Sequence, residues 1–138
     1  MDYQFSKDFL WGAASSGPQS EGSFPGDQKA EMEWDYWFKQ APELFYEGVG
    51  PSVASDFYHK YKEYAGLMKE IGMNSYRTSI QWSRLIKDCE GTVNPEGAAF
   101  YNAVIDELLS RGIEPILCLR HFDLPMYWVE KGGFENRE

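Results

Sequence analysis

Cysteine and histidine are scarce in this chain: 138 residues hold two of each, Cys89, Cys118, His59 and His121. One thiol falls in a polar turn and the other inside an apolar run, so they lack the spacing of a disulfide framework, and two histidines add no zinc-ligand pattern. No metal or cofactor site is expected. Basic residues are also in deficit, 13 Lys and Arg against 22 Asp and Glu for a formal charge of −9. That balance provides no basic stripe, so nucleic acid and anionic membrane surfaces are excluded as expected partners. Long hydrophobic runs are missing: the apolar stretch Phe9–Ala14 is far short of a membrane span. The segment before it, Met1-Asp2-Tyr3-Gln4-Phe5-Ser6-Lys7-Asp8, has acidic residues where a signal peptide carries basic ones. Reduced thiols and a cytoplasmic location are the expectation.

What is present is apolar material for a core, 43% hydrophobic and 17% aromatic residues, within the range of a globular segment. The pattern along the chain reads strand, loop, helix, strand, helix, strand. A strand at Phe9–Ala14 runs into the small residues of Ser15-Ser16-Gly17-Pro18-Gln19-Ser20-Glu21-Gly22, which allow tight packing and a turn. A polar loop dotted with aromatics follows over 23–52, long enough to read as a functional or lid-like insertion anchored by Trp34, Trp37 and Phe38. Between Ser55 and Glu70, Phe57, Tyr61, Tyr64, Leu67 and Met68 recur at helical spacing, with Ser55 or Asp56 able to cap the start. A second helix is expected over 95–111, with Asn94 as its cap, Pro95 at the first helical position and Phe100, Val104 and Leu108 as its stripe. Gly72 and Gly112 end the two helices, and each is followed by an apolar residue and then a strand. This weak repeat fits consecutive βα units of a parallel sheet.

Polar residues cluster where apolar strands give way to loops. Ile116-Leu117-Cys118-Leu119 reads as a strand buried on both faces, and Arg120-His121-Phe122-Asp123-Leu124-Pro125 follows at its carboxyl end. An α/β barrel keeps its chemistry at such strand ends. Gln19 and Glu21 stand just past the first strand. Arg77 lies within Ser75-Tyr76-Arg77-Thr78-Ser79-Ile80-Gln81-Trp82-Ser83-Arg84, and an arginine inside a buried strand demands an acidic partner. Trp82 and Arg84 read as a packing residue and an ion-pair residue.

These segments, in this order, resemble the amino-terminal portion of glycoside hydrolase family 1, the β-glucosidases, β-galactosidases and their 6-phospho-specific relatives. The resemblance runs through the Phe9-Leu10-Trp11-Gly12 opening with Gln19 and Glu21, Ser55-Asp56-Phe57-Tyr58-His59, the Arg77-to-Arg84 segment, Asn94-Pro95-Glu96-Gly97, and His121-Phe122-Asp123-Leu124-Pro125 with Gly132-Gly133-Phe134. It departs at Lys62-Glu63-Tyr64, where the family usually reads Lys-Glu-Asp. A complete (β/α)8 TIM barrel needs about 250 residues, and 138 fit its first three βα units. Residues 1–138 are therefore read as the amino-terminal fragment of one TIM-barrel glycosidase domain of the α/β class.

The resemblance also implies roles. Gln19 and His121 match positions that hydrogen-bond sugar hydroxyls beside the scissile bond, and Arg77 matches the position that orients the nucleophile. The two catalytic glutamates of the family belong to Asn-Glu-Pro and Glu-Asn-Gly motifs, and neither tripeptide occurs here. No catalytic carboxylate is therefore expected in this fragment. Glu21 and Asp123 match loop-supporting positions, and Asp123 is expected to cap the turn that starts at Pro125. The implied activity of the parent enzyme is retaining, cofactor-free hydrolysis of β-glucosides. Gly17-Pro18-Gln19-Ser20-Glu21-Gly22 is most similar to the loops of 6-phospho-β-glucosidases, which makes a phosphorylated disaccharide the expected substrate beside plain β-glycosides. The alternatives are a β-glucosidase or 6-phospho-β-galactosidase of the same family, or a non-catalytic sugar-binding fragment. Two raw sheet edges, with Ile80, Ile116 and Cys118 turned to solvent, lead to an expectation of self-association.

Overall fold

The computed structural model describes residues 3–24 and 26–137; Met1 and Asp2 of the amino-terminal segment, Pro25 and Glu138 lie outside them. Three parallel strands, β1 (Gly12–Ala14), β2 (Ser75–Ser79) and β3 (Glu114–Cys118), form a sheet in the order β1-β2-β3. Ala14 pairs with Arg77 and Arg77 with Ile116. The sheet is open, the first part of a barrel rather than a closed one. Strand β1 is shorter than its apolar run suggests, by the first three residues, and β3 is displaced toward Glu114.

The crossovers are helices α3 (Phe57–Glu70) and α5 (Pro95–Ser110). On α3 the apolar side chains recur every three or four positions, so Phe57, Ala65 and Met68 share one buried stripe. On α5 Phe100, Tyr101, Val104 and Leu108 do the same. The two stripes meet Tyr76 of β2 and Ile113 in one core, where each fully buried Leu or Ile contributes about 1.5–3 kcal/mol. Both helices end alike. Gly72 and Gly112 take the left-handed conformation, with φ of 83° and 69°. Met73 N–H then reaches back to Met68 O and Ile113 N–H to Leu108 O, each at 3.0 Å, the six-to-one bond of a Schellman stop. Each stop aims the next residue into the core and launches a strand.

Several expectations need correction. The loop over 23–52 contains a helix, α2 (Glu33–Gln40), and two single 3₁₀ turns, Pro42–Leu44 and Tyr46–Gly48. None of the residues of α2 is buried, so periodicity carried no core-facing signal. Its rings are instead held by one another: Trp34 packs on Trp37, and Trp37 and Phe38 pack on Phe45. Asp56 stands at the start of α3 but does not cap it with its side chain, because at φ 56° its carboxylate turns to the His59 imidazole, 2.7 Å away. Asn94 does cap α5, accepting from Glu96 N–H at 3.2 Å. Strand β3 is half exposed rather than buried on both faces, since among the described residues only β2 flanks it. Ile116 is 43% exposed, whereas Ile80 packs against the core instead of facing solvent. Among the described residues no helix is long and apolar enough to cross a membrane.

Candidate active site

Parallel strands deliver their carboxyl ends to one edge of the sheet, and each of the three is followed there by a short polar turn. After β1 comes α1 (Gly17–Ser20), which carries Gln19. After β2 comes α4 (Trp82–Leu85), and after β3 comes His121-Phe122-Asp123, leading to α6 (Met126–Val129). The residues expected to contact substrate thus stand at the same sheet edge, with Arg77 on the strand between them.

Helix α1 is only one turn long and is tied from several sides. Gly17 N–H donates to Ser79 Oγ at 2.8 Å, and Ser20 Oγ donates to Ser16 O at 2.7 Å. A side chain at Gly17 would collide with Gln81, so glycine permits the close approach of α1 to the end of β2. Gln19 itself is exposed, and Ser16 Oγ donates to its Oε1 at 2.7 Å. It lines a cavity of about 220 Å³ together with Pro18, Trp34, Phe45, Val49 and Phe122. His121 is half-buried, its ring edge-on to Phe122 with centroids 4.1 Å apart. Phe122 has φ 58°, a conformation that L-residues with bulky side chains rarely adopt. That bend brings the Asp123 carboxylate back onto the His121 N–H at 3.0 Å.

The two carboxylates nearest the mouth are enclosed. Glu21 is 2% exposed and accepts from Gln81 Nε2 at 2.7 Å, from Arg84 Nε at 2.8 Å and from the Tyr101 hydroxyl at 3.0 and 3.1 Å. Arg84 also donates to Asp27 Oδ2 at 3.0 Å and Gly22 O at 2.9 Å, and its guanidinium lies 4.2 Å from the Tyr58 ring centre. Burial raises the Glu21 pKa, opposed by the Arg84 charge and the three donors. Asp123 is fully buried and accepts from Trp82 N–H at 2.6 Å as well as from His121. Burial raises its pKa too, against those two N–H groups. It does not cap α6, which begins after Pro125 without a side-chain cap; the left-handed bend at Phe122 turns the carboxylate inward instead.

Arg77 lacks the acidic partner that its place in the strand demands. Its guanidinium lies 3.0 Å from Cys118 Sγ on β3, and among the described residues no carboxylate pairs with it. The carboxylate of Glu21 goes to Arg84 instead. Among the described residues no group of His, Cys, Asp and Glu could hold a metal ion. Gln81 and Tyr101 belong to the resembling segments, but the sequence assigns no role to them or to the cavity-lining Phe45. Gln81 adjoins the strand that carries Arg77 and could have been suspected, but Tyr101 meets Glu21 across 80 positions, a distance that no local pattern bridges.

Residues 1–138 match the profile of "Glycosyl hydrolase family 1". The chain is 52% identical over 136 residues to the 6-phospho-beta-glucosidase GmuD of Bacillus subtilis, covering 99% of the chain and 29% of that protein. It is 44% identical to the aryl-phospho-beta-D-glucosidase BglC of the same organism, over 96% of the chain and 28% of the relative. Among solved structures, the psychrophilic beta-glucosidase BglU from Micrococcus antarcticus superposes with a TM-score of 0.90 at 41% identity, over 98% of this chain and 28% of that one. A GH1 beta-glucosidase from the fungus Humicola insolens, in complex with glucose, gives 0.87 at 39% identity, over 94% and 28%. The chain therefore spans less than a third of the length of these relatives.

Proposed function

The chain belongs to glycosyl hydrolase family 1, and from that premise we propose that the protein it forms part of is a cytoplasmic retaining β-glycosidase acting on β-glucosides, with 6-phospho-β-glucosides the preferred class. The observation that carries this reading is the arrival of Gln19 and His121 at one sheet edge, on either side of the strand bearing Arg77, in a chain 52% identical to a 6-phospho-beta-glucosidase. A carboxamide and an imidazole supply neutral donors and acceptors suited to sugar hydroxyls. Arg77 has its charge to offer to a carboxylate from elsewhere in the protein, such as the nucleophile of a retaining mechanism. Residues 1–138 then form the amino-terminal part of one barrel domain and supply recognition and support rather than the acid and the nucleophile. Isolated, the chain associates with itself through the open edges of β1 and β3. The full-length protein, assayed with p-nitrophenyl β-glucoside and its 6-phosphate, tests the reading: faster turnover of the phosphorylated substrate supports it. Equal or slower turnover of that substrate removes the phospho preference, and no turnover of either removes the glycosidase assignment.

A further inference from the structure

Each residue read as sugar-binding is followed, two positions on, by a buried carboxylate: Glu21 after Gln19 and Asp123 after His121. Both carboxylates are tethered to the same short segment, the turn 81–85 that follows the central strand. Glu21 takes Gln81 Nε2 and Arg84 Nε, and Asp123 takes Trp82 N–H. The attachments multiply around these. Gln81 N–H donates to the Tyr101 hydroxyl at 2.8 Å while that hydroxyl donates to Glu21, and the Trp82 indole N–H donates to Leu119 O. The loops after β1 and β3 have other anchors, such as Gly17 N–H on Ser79 Oγ and Glu33 N–H on Leu124 O, but the turn 81–85 is the footing that their two carboxylates share.

We infer that the turn 81–85 is a shared clamp and that Glu21 and Asp123 are positioning residues, fixing the distance between the Gln19 carboxamide and the His121 imidazole through it. The inference rests on the proposed reading that these two side chains bind the sugar. An ionised carboxylate suits the task because it accepts several donors at once in short, charge-assisted bonds. The amide isosteres cannot do so. Asn at position 123 turns an NH₂ group toward either the His121 or the Trp82 N–H, so one tether is lost while the volume is kept; Gln at position 21 keeps a carbonyl oxygen for Gln81 and Arg84 but loses the charge that strengthens the Arg84 bond. Two groups that must meet one rigid ring tolerate little drift, since a displacement of about 1 Å can lower a rate about 100-fold.

The test is a pair of double-mutant cycles in the full-length protein, with kcat/KM for p-nitrophenyl β-glucoside 6-phosphate and melting temperature measured on every variant. Asp123→Asn should lower kcat/KM about tenfold in the wild-type background but under about twofold when His121 is already Ala, because it then has nothing to position. Glu21→Gln should behave in the same way toward Gln19→Ala. The melting temperature should fall by the same amount in both backgrounds, which separates positioning from loss of fold. If Asp123→Asn does not fold, Asp123→Ser, whose hydroxyl still accepts one N–H, takes its place in the cycle. Equal factors in both backgrounds would overturn the clamp while leaving the site intact. If Gln19→Ala and His121→Ala themselves leave kcat/KM unchanged, the reading of the site falls, and the clamp with it.

Discussion

Replacing Arg84 by Met tests the buried charge cluster most severely. The substitution keeps much of the aliphatic volume beside Tyr58 and Phe100 but removes the donors to Glu21, Asp27 and Gly22 O at a residue only 2% exposed. Breaking a buried ion pair from one side costs about 3–5 kcal/mol, because the remaining charge stays buried without its counter-charge. The stranded Gly22 carbonyl can add about 1–3 kcal/mol, less than additively within one network. A domain is stable by only about 5–15 kcal/mol, so the change removes a large fraction of the total. With a urea slope of about 2 kcal/mol/M, the unfolding midpoint of the 138-residue chain should drop by roughly 2 M at pH 7.5. The dependence on pH has a definite sign. Burial raises the folded pKa of Glu21 above its ordinary 4.5, so the contribution of this group is fully present below that value and is lost as pH rises through the folded one. Without Arg84 the folded value rises further, and the deficit of the variant should shrink as the pH falls toward 5. Adding Glu21→Gln to Arg84→Met should recover part of the loss, since no carboxylate then remains unpaired. Urea titrations followed by tryptophan fluorescence at pH 7.5, 6.5 and 5.5 decide the matter: a deficit below about 1 kcal/mol, or one that does not change with pH, would mean that water reaches this cluster.

Other outcomes are equally checkable. The isolated chain should release no nitrophenol from a β-glucoside or its 6-phosphate, because binding groups without an acid and a nucleophile give little acceleration; turnover in material free of host enzyme would contradict this. In the full-length protein His121→Ala should lower kcat/KM by about 1–3 kcal/mol in transition-state terms, and a kinetic comparison showing no loss would remove His121 from the site. Burial pushes the Tyr127 hydroxyl up to about 12 while it donates to Ile86 O at 3.0 Å. Any stability from this group therefore holds below pH 10 and is lost as the pH passes about 12. Tyr127→Phe should delete a late step from the ultraviolet tyrosinate titration, and loss of a step at about pH 10 instead would show that the hydroxyl is freely solvated. At micromolar concentration the chain should scatter light as more than a monomer, since Trp11, Ile116 and Leu119 are 50%, 43% and 71% exposed; a compact monomer that binds no apolar dye would refute that.

The parts of this fold legible in the sequence are those set by nearest neighbours. Gly72 and Gly112 announce their helix stops because only a left-handed residue completes the backbone bond to the fifth preceding carbonyl, and those two stops place both following strands. The stripes of α3 and α5 are legible for the same reason. What escaped depends on partners distant in sequence. The run Ile116-Leu117-Cys118 has the composition of a strand covered on both faces, but half of it stands open because β2 is its sole strand neighbour among the described residues. Helix α2 escaped because its rings pack on loop residues such as Phe45 and Phe122 rather than along a stripe facing the core. Arg77 and Arg84 illustrate the limit: both are arginines at a strand or its end, both imply a carboxylate, and nothing local says that Glu21 belongs to the second.

That allocation is what makes the two acidic groups at the mouth poor candidates for chemistry on a substrate. A carboxylate that attacks an anomeric carbon needs an oxygen free to approach it, and one that donates a proton to a leaving group needs an open path to that oxygen. Glu21 has both oxygens taken by Arg84, Gln81 and Tyr101, and Asp123 has one oxygen on each of two backbone N–H groups. The Gln19 amide is exposed and the His121 ring half-buried at the same edge, and both are hydrogen-bonding groups of the kind that the proposed reading assigns to sugar hydroxyls. The cation without a carboxylate, Arg77, lies on the strand between them. With Glu21 and Asp123 both committed to internal donors, the proposed reading leaves Gln19 and His121 for hydrogen bonds to a sugar and Arg77, here on Cys118 Sγ, for a carboxylate from another part of the protein.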